Sequence, residues 1–152
     1  MNKRKVIKLL LVIVWMGLIF MFSNENGRES TKTSDTFLYK IVEVITSEKL
    51  TKEDKIELTN KYMFIVRKCA HFFLYFALAI LVFIYLKEYI DISPSIIIYT
   101  IIFIIIYASS DEIHQLFISN RSGSIKDVLI DTSGGVTSIL ISYFICKLKM
   151  KK

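Results

Sequence analysis

Residues 95–115 read SIIIYTIIFIIIYASSDEIHQ, and this stretch decides the fold of the chain. Residues 95–110 are dominated by isoleucine, which in water would favour a strand. A single strand leaves its backbone groups unpaired in lipid, so a membrane-spanning helix is predicted instead. Two carboxylates, an imidazole and an amide follow at once, contributed by Asp111, Glu112, His114 and Gln115. The stretch therefore predicts a transmembrane helix that ends in a dense group of polar side chains.

The chain as a whole is too apolar for a soluble protein. It has 152 residues, of which 53% are hydrophobic, with a mean hydropathy of +0.49 and a formal net charge of +6. The apolar residues are clumped in long runs, which is typical of membrane spans. Much of the positive charge lies at the chain ends, beside these runs, on Lys3, Arg4, Lys5, Lys8, Lys147, Lys149, Lys151 and Lys152. This distribution is an orientation signal, and no nucleic-acid partner is expected from it.

Four apolar runs predict an all-α integral membrane bundle of four transmembrane helices, formed by a single domain over residues 1–152. The predicted spans cover residues 6–22, 62–86, 95–110 and 125–147. Ser93 and Pro94 predict the N-cap and first position of the third span. Ser124 and Asp127 have the spacing of a capping box, so the fourth span is expected to begin near Ile125.

The segment 24–61, between the first and second spans, is polar and is predicted to carry two short amphipathic helices. Apolar residues at helical spacing follow Ser34, which is a plausible N-cap for the first of them. Thr51 and Asp54 resemble a capping box for the second helix. Both helices are predicted to lie on the membrane surface or over the mouth of the bundle.

Lysine and arginine in the short segments predict a multi-pass protein of the cell membrane with both termini cytoplasmic. The two tails and the turn at Lys87 are basic, whereas the turn between the third and fourth spans has only Arg121 and Lys126. The first span is expected to remain uncleaved, because Met21 and Ser23 suit a signal-peptidase site poorly.

This topology places the polar residues of the span ends at one face, the extracytoplasmic one. They are Arg67, Lys68, His71, Asp111, Glu112, His114, Gln115, Arg121, Asp127 and Asp131. An unpaired charged group at membrane depth costs about 2.5 kcal/mol or more, so such groups are expected to pair or to face water. Helix ends that lie far apart in sequence should therefore meet there.

A catalytic or substrate-binding site is the first of three interpretations of these residues. Asp111 and His114 lie one helical turn apart and are candidates for a proton-transfer pair, since a histidine beside carboxylates suits acid–base work near neutral pH. Glu112 and His71 are further catalytic candidates. The candidate substrate-binding residues are Arg67, Lys68, Gln115, Arg121, Asp127 and Asp131.

The second interpretation is a metal site, and the third is purely structural. His71 and His114 with carboxylates from Asp111, Asp127 or Asp131 offer acceptable ligands for a divalent transition metal. The spacing matches no closed motif such as H-E-x-x-H, so no metal ligand is assigned and the cofactor is left undetermined. An ion-pair and hydrogen-bond network that fixes helix packing would use the same residues.

Four blocks of sequence match the pattern of a known family. The blocks are Arg67-Lys68-Cys69-Ala70-His71-Phe72 with Tyr75, Ser110-Asp111-Glu112-Ile113-His114-Gln115-Leu116-Phe117, Arg121-Ser122-Gly123-Ser124, and Lys126-Asp127-Val128-Leu129-Ile130-Asp131-Thr132 with Gly134. Together with the order of spans, they make residues 6 to 146 resemble the VanZ family of small bacterial membrane proteins, named for a member linked to teicoplanin resistance. The resemblance implies a multi-span helical protein of the bacterial cell envelope that contributes to glycopeptide or lipoglycopeptide resistance.

This chain departs from the family pattern at two places. Members often carry an acid where this chain has Leu74, and a proline and glycine before the arginine where it has Ser119 and Asn120. If that acid belongs to the family's site, this chain lacks one member of it.

Three hypotheses of function follow. The leading one is an envelope protein that alters or shields a surface target through a polar site at the extracytoplasmic face. Its expected partners are membrane lipid and a lipid-linked wall precursor or lipoglycopeptide. The alternatives are a membrane enzyme acting on a lipid-linked or phospholipid head group, and a structural or partner-binding membrane subunit.

Overall fold

The computed structural model describes residues 2–150, apart from the side chains of Arg28 and Glu29. Met1 lies outside the described residues, as do Lys151 and Lys152 of the basic tail. The described part folds into five helices: α1 (Lys3–Asn24), α2 (Gly27–Thr46), α3 (Lys52–Leu86), α4 (Pro94–Gln115) and α5 (Ile125–Met150). Helices α1, α3, α4 and α5 are each long and apolar enough to cross a membrane. The predicted all-α bundle of four spanning helices is confirmed.

Helix α3 is longer than the sequence pattern suggested. Thr51 forms the predicted capping box, in which its Oγ1 accepts the Asp54 N–H at 3.2 Å and Asp54 Oδ2 accepts the Thr51 N–H at 2.9 Å. The expected short helix does not stop before the second span, because no glycine or proline interrupts it. The result is one helix of 35 residues, which at 1.5 Å per residue extends about 52 Å. Its first turns therefore project beyond the part that can lie in a bilayer.

Helix α2 begins at Gly27, so the N-cap predicted at Ser34 is wrong. Ser34 lies inside the helix, where its Oγ donates to the Ser30 carbonyl at 3.0 Å. The Tyr39 hydroxyl hydrogen-bonds to the Lys55 carbonyl at 3.2 Å, which holds α2 against the first turns of α3. The two helices form a hairpin, and the predicted pair of short helices is replaced by α2 and an extension of α3.

Helix α4 continues five residues beyond the predicted end of its span, from Ser110 to Gln115. The apolar run ends at Ser110, but the helix does not, and its last turn carries the buried side chains of Asp111, Glu112 and Gln115. Pro94 occupies the first helical position after Ser93, as predicted, although Ser93 makes no side-chain capping bond.

Helix α5 begins at Ile125 as predicted and presents a stripe of acidic and small residues to the bundle. Asp131, Gly135 and Ser138 of this stripe are buried. Gly134 is also buried, and a Cβ atom added there would lie 2.2 Å from the carbonyl oxygen of Phe72 on α3. Only a residue without a side chain allows α3 and α5 to approach so closely.

Helix α1 is attached to the bundle by apolar packing and by hydrogen bonds to main-chain carbonyls. Trp15 Nε1 donates to the Leu74 carbonyl of α3 at 2.9 Å, and the Tyr107 hydroxyl of α4 donates to the Met16 carbonyl at 2.7 Å. Farther along, near the amino-terminal end of α1, Lys8 forms a salt bridge with Glu88 in the α3–α4 turn. This bond from Lys8 lowers the pKa of the Glu88 carboxyl.

Candidate functional site

Polar side chains from the middle of α3, the last turns of α4 and the first turns of α5 meet on one side of the bundle. Four side chains each offer one possible metal-ligand atom, and these atoms lie within 4.8 Å of one another. We call the four residues the polar cluster: His71, Asp111, Glu112 and Asp131. The three carboxylates are buried and His71 is partly buried. The structure thus brings together residues from three of the sequence blocks.

Gln115 holds the two adjacent carboxylates of α4 in place. Its Nε2 donates to Asp111 Oδ2 at 3.2 Å and to Glu112 Oε1 at 3.3 Å. Asp111 and Glu112 are neighbours in sequence, so helix geometry keeps them close although like charges repel. The amide bridge offsets part of this repulsion, which explains the buried position of Gln115 itself.

Glu112 also fixes the start of α5. Its Oε2 accepts the Ser124 N–H at 2.8 Å, the bond that the Asp127 side chain would make in a complete capping box. Asp127 instead forms a salt bridge with Lys68 on α3. Ser124 Oγ still caps the helix by accepting the Lys126 N–H at 3.2 Å, a bond to the second helical residue, so the N-cap is present without the two bonds of the predicted capping box. A carboxylate from α4 completes the cap and ties the α4–α5 turn to the polar cluster.

Asp131 is the most deeply buried acid of the cluster. It is fully buried, and its Oδ1 lies 3.4 Å from His71 Nδ1. Neither of its oxygens makes a hydrogen bond within the described residues, and the buried hydroxyl of Tyr75, one turn beyond His71, makes none either. Buried polar atoms are normally hydrogen-bonded, so the cluster retains unused bonding capacity.

Among the described residues, none of the predicted lysines and arginines forms a salt bridge with a carboxylate of the polar cluster. Lys68 pairs with Asp127, and Arg121 Nη2 donates to the Phe22 carbonyl at 2.8 Å. Arg67 forms no salt bridge with a described side chain. Burial lowers the pKa of the Arg121 guanidinium, and the like charge of Arg67 lowers it further.

His114 does not lie in the polar cluster. Its ring stacks on Phe20 of α1 with a centroid separation of 4.7 Å, and its Nε2 lies 3.3 Å from Asn24 Oδ1. The structure therefore does not form the expected Asp111–His114 pair. The position of α1 beside α4 gives His114 these partners, and the histidine among the carboxylates is His71.

A cavity of about 680 Å³ opens between α1, α2 and α3. Its walls are largely apolar and include Trp15, Phe37 and Leu74, and its charged lining comes from Glu25, Arg67, His71 and Arg121. The side chain of Leu74 contributes to an apolar wall of this cavity. The cavity could not be predicted from the sequence, because its walls come from helices far apart in the chain. The apolar face of α2 was the only signal of it.

The loop before α5 anchors the start of α2. The Gly27 N–H donates to the Ser119 carbonyl at 3.1 Å, and a Cβ atom at Gly27 would lie 1.9 Å from the Asn120 carbonyl oxygen. Asn120 has a φ of 59°, in the left-handed region that asparagine tolerates better than most residues.

Four spanning helices, with buried carboxylates and a partly buried histidine where three of them meet, define a multi-pass membrane protein with a polar site inside its bundle. Residues 8–147 match the VanZ/LLP1 family, and the chain therefore belongs to that family. The resemblance inferred from the four sequence blocks is confirmed. No curated protein and no solved structure matches the chain.

Proposed function

We propose that this VanZ-family protein binds an amphiphile with an anionic head group at the extracytoplasmic face of a bacterial membrane, and thereby lowers susceptibility to teicoplanin-type antibiotics. The observation that carries the proposal is the cavity between α1, α2 and α3. Its volume of about 680 Å³ lies within the range of pockets that hold drug-sized ligands. Apolar walls suit a lipid tail, and the charged part of the lining suits a head group.

The charge of the cavity favours an anion. Arg67 and Arg121 contribute two guanidinium groups, whereas Glu25 is the one carboxylate among the described lining residues. The two arginines repel each other, and burial of Arg121 removes part of its hydration. An anionic head group between them would relieve both effects, and guanidinium groups bind phosphate and carboxylate in two-point geometry.

The ligand class follows from this combination of tail and head group. A lipid-linked wall precursor has a long apolar tail and an anionic phosphate linkage, and a lipoglycopeptide has an acyl tail and carboxylate groups. Binding either molecule would change how much antibiotic reaches its target at the membrane surface. The protein would act by shielding or sequestering one of them.

Expression of the chain in a susceptible host is expected to raise the teicoplanin concentration needed to stop growth. The Arg67→Gln variant should lose most of this increase, because it removes a cation from the cavity without removing volume from its apolar walls. Lys61→Gln is the matched control, since Lys61 lies on the same helix outside the cavity lining and should behave like the wild type. Growth inhibition is measured in parallel with a glycopeptide that lacks a lipid tail.

Equal tolerance in cells with and without the protein would remove the antibiotic part of the proposal. Binding of a fluorescent lipid-linked phosphate to the purified protein would still test the ligand part. If that binding is the same for the wild type and Arg67→Gln, the cavity is not the binding site.

A second candidate function is a membrane enzyme acting on such a head group. It is favoured by one observation, namely that His71 both lines the cavity and lies 3.4 Å from the buried carboxylate of Asp131. A histidine oriented by a carboxylate is a suitable general base. Turnover of an added lipid-linked phosphate by the purified protein would distinguish an enzyme from a binding protein.

The proposed orientation places both termini in the cytoplasm and the polar cluster at the outer face. In a background with Cys69→Ser and Cys146→Ser, a Ser119→Cys variant should react with a membrane-impermeant thiol reagent in intact cells. A Lys3→Cys variant should react only after the cells are opened. Labelling of Lys3→Cys but not of Ser119→Cys in intact cells would invert the orientation.

A further inference from the structure

We propose that the polar cluster is a binding site for one divalent transition-metal cation. Its ligands are His71 Nδ1 and one carboxylate oxygen each from Asp111, Glu112 and Asp131. This inference rests on the cluster and not on the cavity, so it does not depend on the proposed ligand or on antibiotic resistance.

The separations between donor atoms suit a common metal centre. At metal–ligand distances of about 2.1 Å, adjacent ligands in an octahedral site lie about 3.0 Å apart and opposite ones about 4.2 Å apart. The four donor atoms lie within 4.8 Å of one another, and His71 Nδ1 lies 3.4 Å from Asp131 Oδ1. Small rotations of these side chains would place all four around one ion.

The balance of charge also favours a bound cation. Asp111, Glu112 and Asp131 contribute three carboxylates, and no described lysine or arginine forms a salt bridge with any of them. The basic group in direct contact with Asp131 is the imidazole of His71. Buried carboxylates are strongly destabilised unless they are paired or bind a metal. The neighbouring acid Asp127, by contrast, already has Lys68.

Several polar atoms of the cluster have no hydrogen-bond partner among the described residues. Both oxygens of the fully buried Asp131 and the Nδ1 atom of His71 lack a hydrogen bond within the described residues. Other atoms of the cluster are positioned from outside, because Gln115 bonds Asp111 and Glu112 and the Ser124 N–H bonds Glu112. Carboxylate ligands held by such bonds are typical of metal sites. The ligands lie on three rigid helices, so the site is largely formed before the ion binds.

The ligand types indicate which ions fit. One imidazole nitrogen with carboxylate oxygens suits Mn²⁺, Fe²⁺ or Zn²⁺, whereas Mg²⁺ and Ca²⁺ prefer sites made only of oxygen. No cysteine belongs to the cluster, so soft ions such as Cu⁺ are not expected. The sequence suggested His114 as a second histidine ligand, but in the structure Glu112 supplies the fourth ligand instead.

The test uses the full chain purified in detergent without a polyhistidine tag, stripped with a chelator and then incubated with Mn²⁺ or Zn²⁺. After removal of free metal, elemental analysis should give about one ion per wild-type chain, because all four ligands come from one site. Thermal unfolding should shift upward with added Mn²⁺ or Zn²⁺, since an ion that binds only the folded state stabilises it. Mg²⁺ at the same concentration should have a much smaller effect.

Glu112→Gln and Asp131→Asn should each lose most of the bound metal and of the thermal shift. His114→Ala and Asp127→Asn are the controls, because they remove the other histidine and a nearby acid outside the cluster, and both should bind like the wild type. The proposal would be overturned if the wild type retained neither Mn²⁺ nor Zn²⁺ after incubation and neither ion raised its unfolding temperature. This outcome does not depend on whether the variants fold. Full binding by Asp131→Asn, or its loss in His114→Ala, would also overturn the assignment of the ligands.

Discussion

Replacement of Gly134 by alanine is expected to destabilise the bundle by about 3 kcal/mol, at the upper end of the cost of overpacking a core. The added Cβ would lie 2.2 Å from the Phe72 carbonyl oxygen, a distance that no unstrained structure allows. The obstacle is a main-chain atom, so a side-chain rotation cannot relieve the clash. Helices α3 and α5 must separate, which also moves His71 away from Asp131.

Thermal unfolding and the yield of monodisperse protein in detergent measure this effect. Gly17→Ala is the matched control, because a Cβ at Gly17 on α1 meets no atom within 4 Å. Alanine favours a helix more than glycine does, so this control should be neutral or slightly stabilising. Equal stability of the two variants would mean that the close contact between α3 and α5 does not exist in the folded protein.

The second large effect is expected from His71→Leu, measured in the presence of a chelator so that no metal contributes. This variant leaves Asp131 fully buried with no basic partner, and breaking a buried pair typically costs about 3–5 kcal/mol. The double variant His71→Leu/Asp131→Leu should recover most of that loss, because apolar side chains often replace a buried pair at little cost. A double-mutant cycle on the unfolding midpoints measures the coupling.

The recovered double variant separates stability from function. The double variant should fold but bind neither Mn²⁺ nor Zn²⁺. If the cluster served only helix packing, the folded double variant would keep every other property of the wild type. Lys68→Met provides a comparison, since its pair with Asp127 is partly exposed and should contribute less. If the double variant is as unstable as His71→Leu alone, the two residues are not an energetic pair.

The spanning helices could be predicted from the sequence because their length and composition are set by the bilayer. The stripe of α5 could also be predicted, since residues three or four apart share a helix face whatever surrounds them. The ends of α3 and α4 could not. A polar residue ends an apolar run but does not end a helix, so α3 begins at Lys52 and α4 continues to Gln115.

The site was predicted only in part, because some of its contacts depend on how separate helices pack. The sequence placed His71, Asp111 and Asp131 at the same end of the bundle, and the structure shows them close together. The direction of His114 depends on where α1 packs, and no pattern within α4 contains that information. The N-cap at Ser124 was predicted, but its capping box does not form, because Lys68 pairs with Asp127 and Glu112 accepts the Ser124 N–H. These two partners lie 59 and 12 residues away in the chain.

Helix α3 is long and uninterrupted, so a rigid tilt of the helix would displace both of its ends. Its first turns pack against α2, its middle carries His71, and its last turn leads to Lys87 at the opposite end of the bundle. Because a helix is stiff, a tilt of about 5° along about 52 Å would displace one end by about 4–5 Å. Movement of the hairpin would therefore be conveyed mechanically past the polar cluster to the far side of the membrane.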